Sequence, residues 1–356
     1  MGNNSLYKNS DLIVFNNEVI SLAIRKDSDK NNSLVIRRGI YSAETVIYTS
    51  KREVLEDLQV AGKDSGISIV WRERNNQLFS ESEFHYAKVT AEGIISEHRV
   101  LECSDNNFRH AALLRAKVSN TGHLLLSIVS GTMKKIVLIA YHLKDYSQVD
   151  TVSLDDAVTE KYFTSQKIAN ANVILLVMND GSIYLQFILS SGTLRNYSVS
   201  INKASGKINA SKLFDFALDN IGYHNCLIDE EEKLILITYS GTDLEGNSIY
   251  VAKQKLFTSK TISSEDFTKI SQTNGDYFRP FVIKNDDNYL IAWEGDSIHY
   301  TIIDKNLDIV EAENTFSSVA PGYILLTGLE GVFASCQTEN LPNREFGSSF
   351  LLSKLY

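Results

Sequence analysis

One kind of segment recurs along this chain about every fifty residues: a polar turn, then five or six apolar or alternating residues, often closed by an aromatic. Its copies occupy residues 19–24, 67–71, 124–128, 183–187, 234–239, 289–293 and 332–336, and their last residues are spaced 43 to 59 apart. A unit of that length cannot bury its own apolar face, so such units must stack on one another. This periodicity constrains the fold more than composition does.

The turns before the copies carry hairpin chemistry. Asn16-Asn17, Ser65-Gly66, Thr121-Gly122, Asn179-Asp180-Gly181 and Asp286-Asp287-Asn288 all hold residues that tolerate a positive φ. Each follows another apolar run, so each copy is read as the second strand of a hairpin. Third strands are expected at 34–38, 84–89, 136–142, 197–201, 249–255, 298–303 and 350–355, with more polar fourth strands at 94–101, 208–214 and 309–313. Four antiparallel strands per fifty-residue unit is the anatomy of a β-propeller blade.

The reading is therefore all-β: a single seven-bladed β-propeller domain over residues 1–356 with four-stranded antiparallel blades. The seventh unit holds only three strands, at 323–327, 332–336 and 350–355. Residues 5–8 are expected to supply its fourth and close the ring, removing the open sheet edges. A six-bladed ring with one unit miscounted and a pair of β-sandwiches are the competing architectures. The nearest approach to a helix is 154–162, and with Pro only at 280, 321 and 342 no linker divides the chain.

Charge and length exclude several function classes. Lys+Arg 35 against Asp+Glu 44 gives a net charge of -9, which argues against a nucleic-acid partner held through its phosphates. No apolar run approaches the roughly 18 residues of a membrane helix, so a soluble protein without a membrane span is expected. The polar start Met-Gly-Asn-Asn-Ser-Leu is no secretory signal, and Leu6 breaks the myristoylation pattern; the location is read as cytoplasmic or exported without a cleaved signal. Cys103, Cys226 and Cys336 are too far apart for a CxxC site and are read as buried thiols. The Asn-x-Ser sequons at Asn3, Asn31, Asn196 and Asn209 are read as chance matches in an Asn- and Ser-rich chain.

The runs Ile69-Val70-Trp71-Arg72, Phe278-Arg279-Pro280-Phe281-Val282-Ile283 and Tyr289-Leu290-Ile291-Ala292-Trp293 resemble the strand texture of sialidase-like, glycan-handling propellers. That resemblance implies a glycan ligand. The Asp-box turn of sialidases is absent, however, their arginine triad and Tyr/Glu nucleophile cannot be placed, and no WD or kelch signature is present, so no family is assigned.

First strands of a propeller line its channel, and their starts form the mouth where ligands bind. Counting back from each hairpin lands on Asp11, Asp57, His110 beside Arg109, Asn172, His224 beside Asn225, Arg279 and Pro321, with Tyr223, Tyr277 and Tyr323 adjacent. Asp11, Asp57, Arg109, His110, Tyr223, His224, Tyr277 and Arg279 are thus the ligand-binding candidates, suited to a carbohydrate or other small polar ligand. The bland alternative is that such strand-start residues are simply solvated. No motif fixes catalytic roles: the chain lacks Gly-x-Gly-x-x-Gly, a P-loop, Gly-x-Ser-x-Gly and His-Glu-x-x-His.

His85, His98, His123, His142 and His299 fall in or beside strands, but a one-histidine-per-blade metal site needs four equivalents and only His110 and His224 correspond. The acidic runs at 27–31 and 243–247 lack the glycine and bidentate glutamate of a calcium loop. No metal and no cofactor is expected. Trp71, Phe187, Tyr239 and Trp293 share one repeat position and read as packing between blades before sugar platforms. The leading expectation is a lectin-like propeller that recognises a carbohydrate or glycoconjugate at the mouth; an enzyme of glycoside hydrolase or lyase type at the same place, and a scaffold binding a protein surface, are the alternatives. The oligomeric state is left open.

Overall fold

The computed structural model describes residues 6–26, 32–39, 43–52, 54–63, 65–75, 82–90, 92–103, 111–129, 135–157, 173–188, 193–217, 221–243, 246–256, 264–272, 280–295, 297–316, 322–326, 332–340 and 346–354. They build seven antiparallel sheets in which strands follow chain order. The first sheet is β1 (Leu6–Phe15), β2 (Glu18–Lys26), β3 (Asn32–Arg38) and β4 (Thr45–Thr49); the second is β5 (Val54–Gly62), β6 (Ile67–Arg74), β7 (Glu83–Val89) and β8 (Ile95–Leu101). The third holds β9 (Ala112–Val118), β10 (His123–Val129), β11 (Lys135–His142) and β12 (Gln148–Ala157), and the fourth β13 (Val173–Val177), β14 (Ile183–Ile188), β15 (Thr193–Ile201) and β16 (Ile208–Ala217). The fifth holds β17 (Ile221–Asp229), β18 (Leu234–Asp243), β19 (Gly246–Lys255) and β20 (Thr268–Lys269); the sixth β21 (Phe281–Asn285), β22 (Asn288–Glu294), β23 (Ile298–Ile303) and β24 (Ile309–Phe316). Last come β25 (Gly322–Leu326), β26 (Val332–Asn340) and β27 (Phe346–Lys354), a sheet of three.

Every repeated segment lies in the second strand of its sheet. Six sheets, not seven, are four-stranded, and the expected closing strand is spent elsewhere. Leu6, Tyr7 and Lys8 pair with Lys26, Arg25 and Ile24 inside the first sheet, so these residues extend β1 instead of completing the seventh repeat. The physical reason is local: the Asn16-Asn17 turn, both residues at positive φ (52° and 58°), zips its two strands along their full length. The segment read as nearest to a helix begins as strand, since Leu154 belongs to β12; 158–162 lie outside the described residues.

The residues group into two compact units, residues 1–191 with 196–212, and 192–195 with 213–356. Within the first unit, apolar cores fill the spaces between successive sheets. Leu22, Ile24 and Leu34 meet Ile67, Ile69 and Trp71, Val70 and Phe84 meet Leu124 and Leu126, and Leu125 and Leu138 meet Leu185 and Phe187. In the second unit Leu236 and Val251 pack on Ile291 and Trp293. A second strand is therefore covered on both faces: β10 is buried at every residue, whereas β4 and β8 are mostly half-buried or exposed. Truncating a fully buried residue such as Leu126 to Ala removes about 2–5 kcal/mol.

Candidate functional site

Within the first unit, the first strands β1, β5, β9 and β13 neighbour one another in chain order. Their approach is close enough that a Cβ on Gly62 would lie 3.0 Å from the Val118 Cβ. Carboxylates accept two of the hydrogen bonds between them. Asp11 Oδ2 accepts the Val60 N–H at 2.9 Å, and Asp57 Oδ2 accepts the Leu113 N–H at 3.2 Å. Asp11 is regularly paired, opposite Leu22, whereas Asp57 falls in a bulge between the Glu56–Arg72 and Gln59–Val70 pairs.

Asp57 adopts a left-handed backbone, φ 58°, which a short polar side chain tolerates and which turns its carboxylate inward. There it meets Arg72 Nε at 2.7 Å, while Arg72 also reaches Glu56 at 2.6 Å and the Ala111 carbonyl at 2.8 Å. Arg74 joins Glu56 at 2.7 Å. Two carboxylates face two guanidinium groups, so this network is neutral. Burial pushes the Asp57 carboxyl above its ordinary range even though Arg72 pulls it down. At 1% exposure Asp57 is a tie between sheets and not the solvated strand-start acid that sequence suggests.

Beside it, β9 presents Arg115 and Lys117 at alternate positions, half-buried, with the fully buried Leu114 and Ala116 on the other side of the pleat. Burial lowers the Arg115 pKa to about 10, with Asp11 opposing the shift. Burial likewise lowers Lys117, Asp11 opposes, and the like charges of Arg115 and Lys63 add to the lowering. Sequence reading passed over both residues because it looked at strand starts; their signal is an Arg-x-Lys pair within an otherwise apolar first strand.

The other candidates are distributed. His224 is buried in β17 opposite Tyr239, and the neighbouring Tyr223 N–H donates to Ser240 Oγ at 2.9 Å. Arg109, His110, Asn172, Tyr277, Arg279 and Pro321 lie outside the described residues, as does the acidic run 27–31. Cys226 is buried but Cys103 only half-buried, which corrects its reading as a buried thiol. The shared aromatic position is packing: Trp71, Phe187 and Trp293 are inaccessible, and Tyr239 retains 7% exposure.

Those aromatics organise a recurring motif. Trp71 pairs with His85 and Trp293 with His299 across neighbouring strands, their planes within 15° and 9° of parallel. Around Trp71 gather Tyr48 of the first sheet and His98 of β8. Buried Glu73 accepts Trp71 Nε1 at 3.0 Å and Ser50 Oγ at 2.8 Å, and it holds the Tyr48 hydroxyl as well. Burial lowers His85 to about 4 and lowers His98 too, so both imidazoles are neutral near pH 7. Among the described residues no group of three or more His, Cys, Asp or Glu could hold a metal ion.

No protein-family model and no curated protein sequence matches this chain. Solved structures do. The β-propeller domain of the Trilobed protease from Pyrococcus furiosus, of open velcro topology, superposes with a TM-score of 0.52 at 12% identity, over 99% of this chain and 98% of that one. The fold is a β-propeller. The polysaccharide lyase Uly1 gives a TM-score of 0.58 at 11% identity over 96% and 88% of the two chains. Puromycin hydrolase gives 0.57 at 12% identity over 98% of this chain, which spans about half, 52%, of the hydrolase. Structures of similar fold thus include a hydrolase and a lyase, and fold alone assigns no chemistry. No helix among the described residues is long and apolar enough to cross a membrane.

Proposed function

We propose that this propeller recognises a carbohydrate or glycoconjugate, in the manner of a lectin, beside its first strands β1, β5 and β9. The observation that carries the reading is the pair Arg115 and Lys117, half-buried at alternate positions of the first strand β9, with Asp11 of β1 in electrostatic reach of both. Half-buried donors form stronger hydrogen bonds to hydroxyl and carboxyl oxygens than donors in open water. Asp57 does not enter this reading, because its carboxylate is engaged by Arg72 and the Leu113 N–H; an enzyme reading would have to draw on it.

The test is a glycan array probed with the purified protein and with Arg115→Met. Hits confined to one glycan class and lost in a folded variant support lectin-like recognition. A blank array overturns it and turns attention to a protein partner.

A further inference from the structure

A hydrolytic site beside the first strands would have to draw on Asp57, but the sixth sheet assembles another from residues that no motif announces. There an imidazole is held from both sides. His299 Nδ1 lies 2.9 Å from Glu313 Oε1, and His299 Nε2 lies 3.4 Å from Ser297 Oγ. Glu313 Oε2 accepts the Gln272 N–H at 2.5 Å, so main chain fixes the carboxylate as well. Ser297 immediately precedes β23 and His299 is its second residue, an alternation that puts both on one face of the sheet; Glu313 meets them from β24. A carboxylate only accepts, so Nδ1 carries the hydrogen, and in the neutral ring Nε2 offers its lone pair to the serine hydroxyl. Trp293, within 9° of parallel to the imidazole, fixes its plane.

Packing alone does not call for this set, because the second sheet holds the same frame without it. Trp71 pairs with His85 as Trp293 pairs with His299. Two residues before His85 stands Glu83, and two before the fourth-strand partner of His85 stands His98. At those two positions the sixth sheet carries Ser297 and Glu313, a hydroxyl and a carboxylate. The side chains of His299 and Glu313 are 9% and 7% exposed, whereas Ser297 is half-buried.

We propose that Ser297, His299 and Glu313 form a Ser-His-carboxylate triad that hydrolyses carboxylic esters, a site independent of the carbohydrate reading. Ser297 Oγ attacks the ester carbonyl carbon while its proton passes to His299 Nε2, and the imidazolium returns that proton to the departing alkoxide. Water, deprotonated by the same nitrogen, then cleaves the acyl-serine, releasing the carboxylic acid and restoring the hydroxyl. Ser297 and His299 are the catalytic residues; Glu313 is a positioning residue that sets the tautomer. Nucleophile–base bonds are often long before substrate arrives and tighten in the complex, which accommodates the 3.4 Å spacing. The Gly295 N–H donates to the Ser297 carbonyl at 2.8 Å and is not available to an oxyanion. Without that donor the site suits esters, whose alkoxide leaves more readily than the amine of an amide.

The test treats the native protein with a fluorophosphonate, whose phosphorus Ser297 Oγ attacks with loss of fluoride, and assays hydrolysis of 4-nitrophenyl acetate and butyrate. One label per chain is expected, mapped to Ser297 by peptide mass spectrometry, and Ser297→Ala should abolish both label and turnover. His299→Gln should slow both by about a hundredfold or more. Glu313→Gln should lower kcat by about tenfold or more with KM little changed, and Glu313→Asp should restore part of it. Because His299 and Glu313 are buried, circular dichroism checks the folding of their variants, and Ser297→Ala, which trims a half-buried hydroxyl, decides by itself. No label on the native protein, a label that survives Ser297→Ala, or a Ser297 label formed at the native rate in folded His299→Gln overturns the triad. A Ser297 label without turnover of either ester overturns the substrate class.

Discussion

His85 Nδ1 and His98 Nε2 lie 3.1 Å apart with ring planes 16° from parallel and centroids 5.3 Å apart. Face-to-face stacking would bring the centroids closer, so the two imidazoles meet edge to edge, one nitrogen donating and the other accepting. That bond needs at least one neutral ring. The far nitrogen of His85, Nε2, is buried without a hydrogen-bond partner, 3.7 Å from Glu83 Oε2. Tyr48, Trp71 and Glu73 enclose the pair, and Arg52, ion-paired to Glu83, adds positive charge that opposes protonation.

Stability is expected to fall on acidification between about pH 6.5 and about pH 4. The folded His85 pKa is lowered to about 4 from 6.5, so in this window the unfolded chain binds more protons than the folded one, and acid favours unfolding. His98, lowered in the same direction, adds to the effect. The loss is on the order of 2 kcal/mol after allowance for the partly open edge of the pair. Urea unfolding at pH 7 and pH 4.5 measures it, and His85→Phe should flatten the dependence; an equally steep variant would place the titration elsewhere.

Asp57→Asn should destabilise by about 3–5 kcal/mol, because it leaves Arg72 buried without its Nε partner and disturbs the tie to β9. Arg72→Met should cost a similar amount. The double variant is expected to lose less than the sum of the two, and additive losses in a denaturant double-mutant cycle would mean the two groups act independently.

In the second unit, Asp229 accepts the Tyr289 hydroxyl at 2.8 Å and Lys284 Nζ at 3.1 Å, with the Glu231 and Glu232 N–H groups at 3.1 Å. Burial would raise its pKa, but the Glu232 N–H, the Tyr289 hydroxyl and Lys284 hold it below the usual carboxylate range. Asp229→Ala is expected to cost about 2–4 kcal/mol, by orphaning a buried phenol and two turn N–H groups, and Tyr289→Phe about 1 kcal/mol. Thermal unfolding of both variants checks the order; a larger loss for Tyr289→Phe would contradict this account.

The β1–β2 turn offers a gain. Asn17 has φ 58°, so Asn17→Gly should be neutral to stabilising by a few tenths of a kcal/mol, whereas Asn17→Val should cost about 1–2 kcal/mol. Opposite signs in urea midpoints would contradict the left-handed assignment.

Second strands were legible in the sequence because they are covered on both faces and so read as unbroken apolar runs, and all seven were located from that pattern. Fourth strands were less so. β4, β12 and the two-residue β20 escaped notice: β4 is only five residues long and half-buried or exposed throughout, and β20 is too short for any pattern to show. The hairpin turns were visible as well, with Asn16, Asn17, Gly122, Gly181 and Asp286 at positive φ, since a two-residue turn has few chemical solutions.

The candidate site was legible only in part. Choosing Asp11 and Asp57 by their distance from the hairpin put them in one class, yet a bulge, which no spacing announces, turned Asp57 into a buried partner of Arg72. Arg115 and Lys117 drew no attention, because what sets them apart is how β1, β5 and β9 converge on them. The sequence by itself determined the repeat, the strands and the turns, all of them set by neighbours in the chain. Only the tertiary structure decided which charges are neutralised and which first strands meet, because electrostatic partnership and hydration depend on residues brought together from about fifteen to about a hundred positions away.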